Sequence, residues 1–186
     1  VLREGDIVNV DCSTILNGYF SDSSRMFCIG EVSEERRRLV EVTHESVQRG
    51  LAAVKPWAPL GDMSHAVQSC VEEAGFNVVR EFGGHGIGKE FHEDPFVGFV
   101  REFGGHGIGK EFHEDPFVGF VGEPGEGPIM APGMCFTIEP MVNAGAPEIN
   151  MDDPNGWTVR TADGSDSAQW EVQLVVTEDG YELLSW

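Results

Sequence analysis

The sequence predicts an α+β fold, in which helices and antiparallel strands are mixed along one chain. Two observations support this prediction. Segments of alternating polarity are followed by short turn sequences, and two segments with apolar residues at helical spacing lie between them. With 186 residues the chain is long enough to bury a core of its own, and no internal boundary stands out. We therefore expect a single domain over residues 1–186.

The first strand segment, residues 7–16, alternates in part and precedes Asn17-Gly18, the strongest short signal for a hairpin. If these two residues form the loop, Ser13 faces Asp22 across the hairpin. Asp11 then shares one face with Asp22, and such diagonal neighbours have Cβ atoms roughly 7 Å apart. Two carboxylates at this separation favour a shared cation, although a solvated face would explain the pair as well.

Two helices are expected after the hairpin. Ser33 caps the first, which carries an apolar stripe and ends before Pro56. The second covers about residues 62–74 and stops at a glycine. His44 and His65 lie on these helices, and we expect them at the surface or in packing because neither has a polar cluster around it.

One segment, REFGGHGIGKEFHEDPFVGFV, occurs twice without change, at residues 80–100 and 101–121. Each copy holds a histidine between glycines, His85 or His106, and glycine lets the backbone approach an ion or substrate closely. Only one copy fits the fold, so we expect the other to be looped out, at about 0.6 kcal/mol for each doubling of loop length. We expect the first copy to be seated, because looping it out would interrupt a strand over residues 77–82.

Two later strand segments, residues 135–142 and 168–177, carry acidic and other polar residues on one face. These polar residues are Thr137 and Glu139 in the first segment, and Gln169, Glu171 and Gln173 in the second. Together with Asp11, Asp22 and a glycine-flanked histidine, the two acids form an oxygen-rich set that suits Mn, Fe(II), Co or Zn better than a structural zinc. Two such ions would activate water and polarise a carbonyl, so the sequence predicts hydrolysis.

Composition argues against other classes of function. The chain has 12 basic and 32 acidic residues, a net charge of −20, and so negative a surface repels phosphate backbones. We expect no nucleic-acid ligand. No apolar run reaches the ~18 residues of a membrane span, and no signal-peptide pattern opens the chain. The opening at Val1 reads like the turn before a strand, so we expect an N-terminal part to be missing.

The cysteines indicate the compartment. They lie far apart, without C-x-x-C spacing and mostly within apolar runs, which favours buried free thiols in a reducing cytoplasm over disulfides or zinc. The four are Cys12, Cys28, Cys70 and Cys135.

At the residues that carry this chemistry the chain resembles the methionine aminopeptidases of the shorter bacterial type, within the pita-bread metallopeptidases. The motifs that carry the resemblance, in family order, are VNVDCS, YFSDSSRMF, GGHGIGKEFHEDP, FTIEPMVN, GWTVRT and SAQWE. The resemblance covers the whole chain apart from one duplicate copy. It implies a partial pita-bread fold, with antiparallel sheet and flanking helices, that lacks the N-terminal part where the family has a further catalytic histidine. It also implies a monomeric enzyme that removes methionine from nascent polypeptides.

The resemblance further implies the site residues. The ligands of two divalent ions, Co, Mn, Fe, Zn or Ni, would be Asp11, Asp22, His85 or His106, Glu139 and Glu171. In the implied mechanism a metal-bound hydroxide attacks the first peptide carbonyl while Glu139 acts as general base. The residues implied to contact the substrate are His92 or His113, which would steady the oxyanion, and Phe91 or Phe112 with Trp157, which would line the methionine pocket. For Trp157 an ordinary packing role explains the sequence equally well.

Three alternatives remain open. A proline-directed aminopeptidase or prolidase would share all five ligands, but the residues after Glu139, Pro140–Asn143, have the form of the methionine enzymes. A non-catalytic binding homologue of the same fold would be expected to lose ligands, whereas this chain keeps all five. A nucleotide-binding loop would explain Gly83-x4-Gly88-Lys89, but Glu90 stands where serine or threonine must meet Mg²⁺.

Overall fold

The computed structural model describes residues 1–80, 104–107 and 114–185, and it confirms the α+β class. The helices are α1 (Glu34–Ala53) and α2 (Leu60–Glu73). The strands are β1 (Ile7–Asp11), β2 (Thr14–Leu16), β3 (Tyr19–Ser21), β4 (Ser24–Cys28), β5 (Asn77–Val78), β6 (Gly104–Gly107), β7 (Glu114–Gly119), β8 (Cys135–Ile138), β9 (Met141–Asn143), β10 (Ile149–Asn150), β11 (Arg160–Thr161), β12 (Ser167–Gln169), β13 (Val172–Val176) and β14 (Tyr181–Ser185).

The strands form one five-stranded sheet, one three-stranded sheet and three two-stranded pairs within the described residues. The five-stranded sheet has the order β14-β13-β8-β6-β7, and the three-stranded sheet has the order β12-β9-β5. The pairs are β1 with β4, β2 with β3, and β10 with β11. Every neighbouring pair is antiparallel, as the short alternating segments predict.

The two helices pack against each other and against the sheets. The Ser33 hydroxyl accepts a hydrogen bond from the Arg36 amide at 3.2 Å, which confirms the predicted cap. Gly50 allows the two helices to pack closely, because a Cβ there would come within 2.8 Å of the Val67 Cγ2. The fully buried core residues include Leu39, Val47, Met63, Val67, Phe136, Ile138 and Leu174.

The predicted first strand is two strands in the structure. The Asn17-Gly18 turn has positive φ at both residues, 53° and 81°, and Leu16 pairs with Tyr19, which confirms the hairpin. The ladder ends at Thr14, however, because β1 leaves the hairpin and pairs with β4 instead. A partner further along the chain therefore divides a segment that its alternation alone predicts to be continuous.

The second copy of the duplicated segment supplies strands β6 and β7, whereas the prediction that the first copy is seated falls almost entirely outside the described residues. That prediction required a strand over residues 77–82. The structure instead ends β5 at Val78, and this strand pairs with β9 in a different sheet from β6. Seating the second copy therefore does not divide β5. Of the first copy, all but Arg80 lies outside the described residues.

Two further expectations concern single residues. His44 and His65 are exposed on their helices, and the His44 ring lies against Trp170 with 4.3 Å between centroids. All four cysteines are free, but Cys12 and Cys28 are exposed, so the expectation of four buried thiols is wrong. Cys12 directly follows β1, and Cys28 is the last residue of β4. None of the helices described is long and apolar enough to cross a membrane.

Candidate metal centre

Three carboxylates meet where four strands end or begin. Asp11 ends β1, Asp22 lies between β3 and β4, and Glu171 directly precedes β13. Ser24 joins them, because it pairs with Asp11 in one ladder and forms an isolated bridge with Glu171 on its other side. One oxygen from each carboxylate lies within 4.8 Å of the other two. This spacing allows a single cation to contact all three.

Glu139 extends this cluster from the end of β8. Its two carboxylate oxygens accept hydrogen bonds from the Thr137 hydroxyl at 2.8 Å and from the Gln169 side-chain amide at 3.3 Å. Thr137, Glu139 and Gln169 are among the residues that the alternating pattern places on the polar strand faces. Their contacts fix the orientation of the Glu139 carboxylate.

The carboxylates of the cluster lie close enough to repel one another. Burial raises the pKa of Glu171 well above its ordinary value, and the neighbouring carboxylates of Glu139, Asp22 and Asp11 raise it further. Glu171 is 1% exposed and Asp22 is 4% exposed, so water screens this repulsion poorly.

The residues present fit a divalent cation. Both Glu171 carboxylate oxygens are buried without a hydrogen-bond partner in the described part of the chain. A buried carboxylate without a donor is costly, and a divalent cation beside it supplies the missing partner. The donor set is oxygen-rich, which suits a catalytic cation better than a structural zinc. One divalent cation in this cluster would offset two of the four acid charges.

Of the four predicted site histidines, the described residues include only His106. The backbone of His106 lies in β6, opposite Phe117 of β7, and the next residue, Gly107, pairs with Phe136 of β8. This register puts the backbone of the glycine-flanked segment beside the strand that leads to Glu139. The other predicted site residues of the two copies, His85, His92, His113, Phe91 and Phe112, lie outside the described residues.

Trp157 lies in the loop between β10 and β11 and is 85% exposed. Asn155 shapes this loop, because its side-chain oxygen accepts hydrogen bonds from the Trp157 and Thr158 amides, both at 2.8 Å. Such exposure argues against an ordinary packing role for the indole. Its role as a pocket wall stays a prediction.

Several polar residues around the cluster were not predicted to act in the site. Ser13 donates from its hydroxyl to the Asp22 Oδ1 at 3.0 Å, and the Asn9 side-chain amide donates to the Ser24 hydroxyl at 3.2 Å. Gln173 and Ser185 contact the backbone of Asp22. The hairpin register could have identified Ser13, because it places Ser13 opposite Asp22. Strand alternation could have identified Gln173, because it places Gln173 on the polar face. No local pattern signals Ser185.

Comparison with known proteins identifies relatives over the whole chain. Residues 1–99 and 96–178 each match the metallopeptidase family M24. A methionine aminopeptidase from Rickettsia prowazekii is 39% identical over 184 residues, which cover 99% of this chain and 63% of that protein. The methionine aminopeptidase of Clostridium acetobutylicum is 42% identical over 185 residues, which cover 100% of this chain and 65% of that protein.

Solved structures agree with these matches. The crystal structure of methionine aminopeptidase from Rickettsia prowazekii superposes with a TM-score of 0.85 at 39% identity, covering 98% of this chain and 65% of that one. The enzyme from Thermotoga maritima gives 0.85 at 37% identity, covering 99% and 65%. A prolidase from Pyrococcus furiosus shares the fold, with a TM-score of 0.68 at 23% identity. The chain thus spans less than two thirds of the length of these relatives.

Proposed function

The chain belongs to metallopeptidase family M24, and from this premise we propose that it removes methionine from the N-termini of polypeptides with the help of two divalent cations. The observation that carries the proposal is the convergence of Asp11, Asp22 and Glu171 within 4.8 Å. The unpartnered oxygens of buried Glu171 supply independent support for a bound cation. The likeness to enzymes named methionine aminopeptidase supports the choice of substrate.

The ligands in this proposal are Asp11, Asp22, Glu139, Glu171 and one glycine-flanked histidine. We propose His106 rather than His85, because the backbone of His106 lies in the strand next to β8. Cations held there would polarise the scissile carbonyl and lower the pKa of water. The four acids supply negative charge for both ions, while the histidine supplies one nitrogen.

The chain's own residues then handle the proton. Glu139 accepts a proton from the water that adds to the first peptide carbonyl, and it passes this proton to the amine that leaves when the C–N bond breaks. The hydrogen bonds from Thr137 and Gln169 hold its carboxylate for this transfer. We assign His113, in the same copy as His106, to the oxyanion, and Phe112 with Trp157 to the methionine side chain.

We also propose peptide N-termini as the partners and the cytoplasm as the compartment. The net charge of −20 disfavours nucleic acid, and two exposed free cysteines fit a reducing compartment. We also propose that the protein is a monomer.

A peptide panel tests the function. The purified chain, loaded with Mn²⁺, is offered peptides that begin Met-Ala, Ala-Ala and Ala-Pro, and the released amino acid is quantified. We expect release of methionine from the first peptide alone, lost on chelation and in Glu139→Gln. Release from Ala-Pro alone would favour the proline-directed alternative, and Mn²⁺ binding without any release would favour a binding homologue.

A second comparison tests which copy acts. His106→Ala is expected to abolish methionine release, whereas His85→Ala is expected to retain it. Because the two copies are identical in sequence, each variant is the matched control of the other. The opposite outcome would assign the site to the first copy.

A further inference from the structure

Two side chains outside the carboxylate cluster hold the backbone of Asp22 at both of its polar groups. The Asp22 amide donates to the Gln173 Oε1 at 3.1 Å, and the Ser185 hydroxyl donates to the Asp22 carbonyl at 2.5 Å. The backbone amide of Gln173 in turn donates to the Ser185 hydroxyl at 3.0 Å. These three hydrogen bonds close a ring around the peptide groups of one acid.

A β-bulge brings Ser185 into this ring. Gln173 pairs with Ser185 while the next residue, Leu174, pairs with Leu183, so Leu184 is an extra residue on β14. In a regular strand Ser185 and Leu183 would point to the same face. Because of the extra residue, Ser185 and Leu183 point to opposite faces. Ser185 then lies opposite Gln173 on the polar face of β13. Bulges that redirect a side chain in this way are frequent beside active sites.

The backbone of Asp22 needs such support. Asp22 falls between the end of β3 at Ser21 and the start of β4 at Ser24, so its amide and carbonyl lie outside both strands. Buried backbone groups outside a ladder need partners elsewhere, and Gln173, itself 3% exposed, supplies one. Anchoring the amide and the carbonyl limits rotation of both adjoining peptide groups, and therefore fixes where the Asp22 side chain begins.

We propose that Gln173 and Ser185 are positioning residues that hold the Asp22 carboxylate in place for divalent cations. This inference rests on the proposed metal centre. Metal sites demand placement of ligand atoms to within about 0.5 Å, and partners that orient a ligand contribute roughly 10–100-fold to metal affinity. Ser13, which donates to the carboxylate itself, completes the restraint from the side-chain end.

The experiment measures Mn²⁺ affinity by calorimetric titration of the whole chain, together with thermal unfolding of the metal-free forms. Gln173→Met keeps the length of the side chain and removes the oxygen acceptor, while Ser185→Ala removes the hydroxyl. We expect each to weaken Mn²⁺ binding about 10–100-fold. Ser185→Thr, which keeps the hydroxyl, is expected to restore most of the affinity.

Gln68→Met is the matched control. Gln68 also accepts a hydrogen bond from a backbone amide distant in sequence, that of Gly122 at 3.3 Å, but it lies on α2 and takes no part in the metal centre. It should lower thermal stability without changing Mn²⁺ affinity. If Gln173→Met does not fold, the Ser185→Ala and Ser185→Thr pair still decides the question.

The outcomes separate this inference from the proposed function. Variants that bind Mn²⁺ as tightly as the unsubstituted chain would refute the positioning role and leave the metal centre standing. An equal loss of affinity in Gln68→Met would also refute it, since the effect would then be general. No Mn²⁺ binding by the unsubstituted chain would refute the metal centre and this role together.

Discussion

Replacing Glu171 by glutamine removes the acidic group and keeps nearly the same side-chain shape. In metal-free protein the Glu171 carboxyl group is buried, which raises its pKa, and it lies beside three other acids with no hydrogen-bond donor to either oxygen in the described residues. Glutamine has nearly the same volume and brings an amide that donates to the neighbouring carboxylates. Removing a buried unpartnered group of this kind is worth about 1–3 kcal/mol. We therefore expect Glu171→Gln to raise the free energy of unfolding by that amount in EDTA.

With Mn²⁺ present the sign should reverse. The unsubstituted chain gains about 2.7 kcal/mol when free metal is 100 times its dissociation constant. Glu171→Gln lacks a charged ligand and should gain much less, so it becomes the less stable of the two. For a chain of this size each kcal/mol corresponds to roughly 2–4 °C in the midpoint of thermal unfolding.

Thermal unfolding in EDTA and in Mn²⁺ measures both effects. Glu178→Gln serves as control, because Glu178 is exposed between β13 and β14 and should change stability by less than about 0.5 kcal/mol in either buffer. A Glu171→Gln variant that is less stable than the unsubstituted chain in EDTA would refute the reasoning, since the carboxylate would then stabilise the fold without metal.

Two further predictions concern the scaffold. Gly61→Ala should lower the free energy of unfolding, measured by urea denaturation, by about 1–3 kcal/mol, because the added Cβ would lie 2.4 Å from the Glu123 carbonyl oxygen. The control is Gly180→Ala, which has open space around the added methyl group and should be nearly neutral. Asp163→Asn should lower the thermal midpoint at pH 7, because hydrogen bonds from the Ala146 and Ser165 amides lower the pKa of Asp163 from 3.8 to about 2. That contribution is present above about pH 4 and is lost as the pH falls towards 2, so the two melting curves should converge in acid.

Contradictory outcomes are simple to recognise. Equal stability of Gly61→Ala and Gly180→Ala would mean that the loop carrying Glu123 yields to the added methyl group. A difference between Asp163→Asn and the unsubstituted chain that persists unchanged at pH 2 would mean that the carboxylate acts through its shape rather than its charge.

Local pattern predicted much of the fold. The alternation in residues 135–142 and 168–177 predicted strands, but each segment is divided into two strands of different sheets, and Glu139 and Glu171 lie at the breaks. The Asn17-Gly18 turn likewise fixed the pairing of Leu16 with Tyr19. These features depend on neighbours within a few residues, so a local sequence pattern is enough to predict them.

Features that depend on distant partners were not predictable. The division between β1 and β2 follows from pairing with β4, and the contact of Ser185 with Asp22 follows from a bulge between two other strands. The choice of copy could not be read from identical segments, since their composition and pattern are the same. The pairing of Gly107 with Phe136 supports the second copy, and the choice between the copies stays a prediction.

The dispersion of the four acids has a consequence for the way the molecule holds together. Asp11 ends one short two-stranded pair and Asp22 lies between two such pairs near the start of the chain, whereas Glu139 and Glu171 border the large sheet near its other end. An ion bound by members of both groups would act as a cross-link that closes a very long loop, in the manner of a disulfide. Chelation would then release the small strand pairs first, and protease sensitivity should appear at the amino-terminal hairpin before the helices unfold.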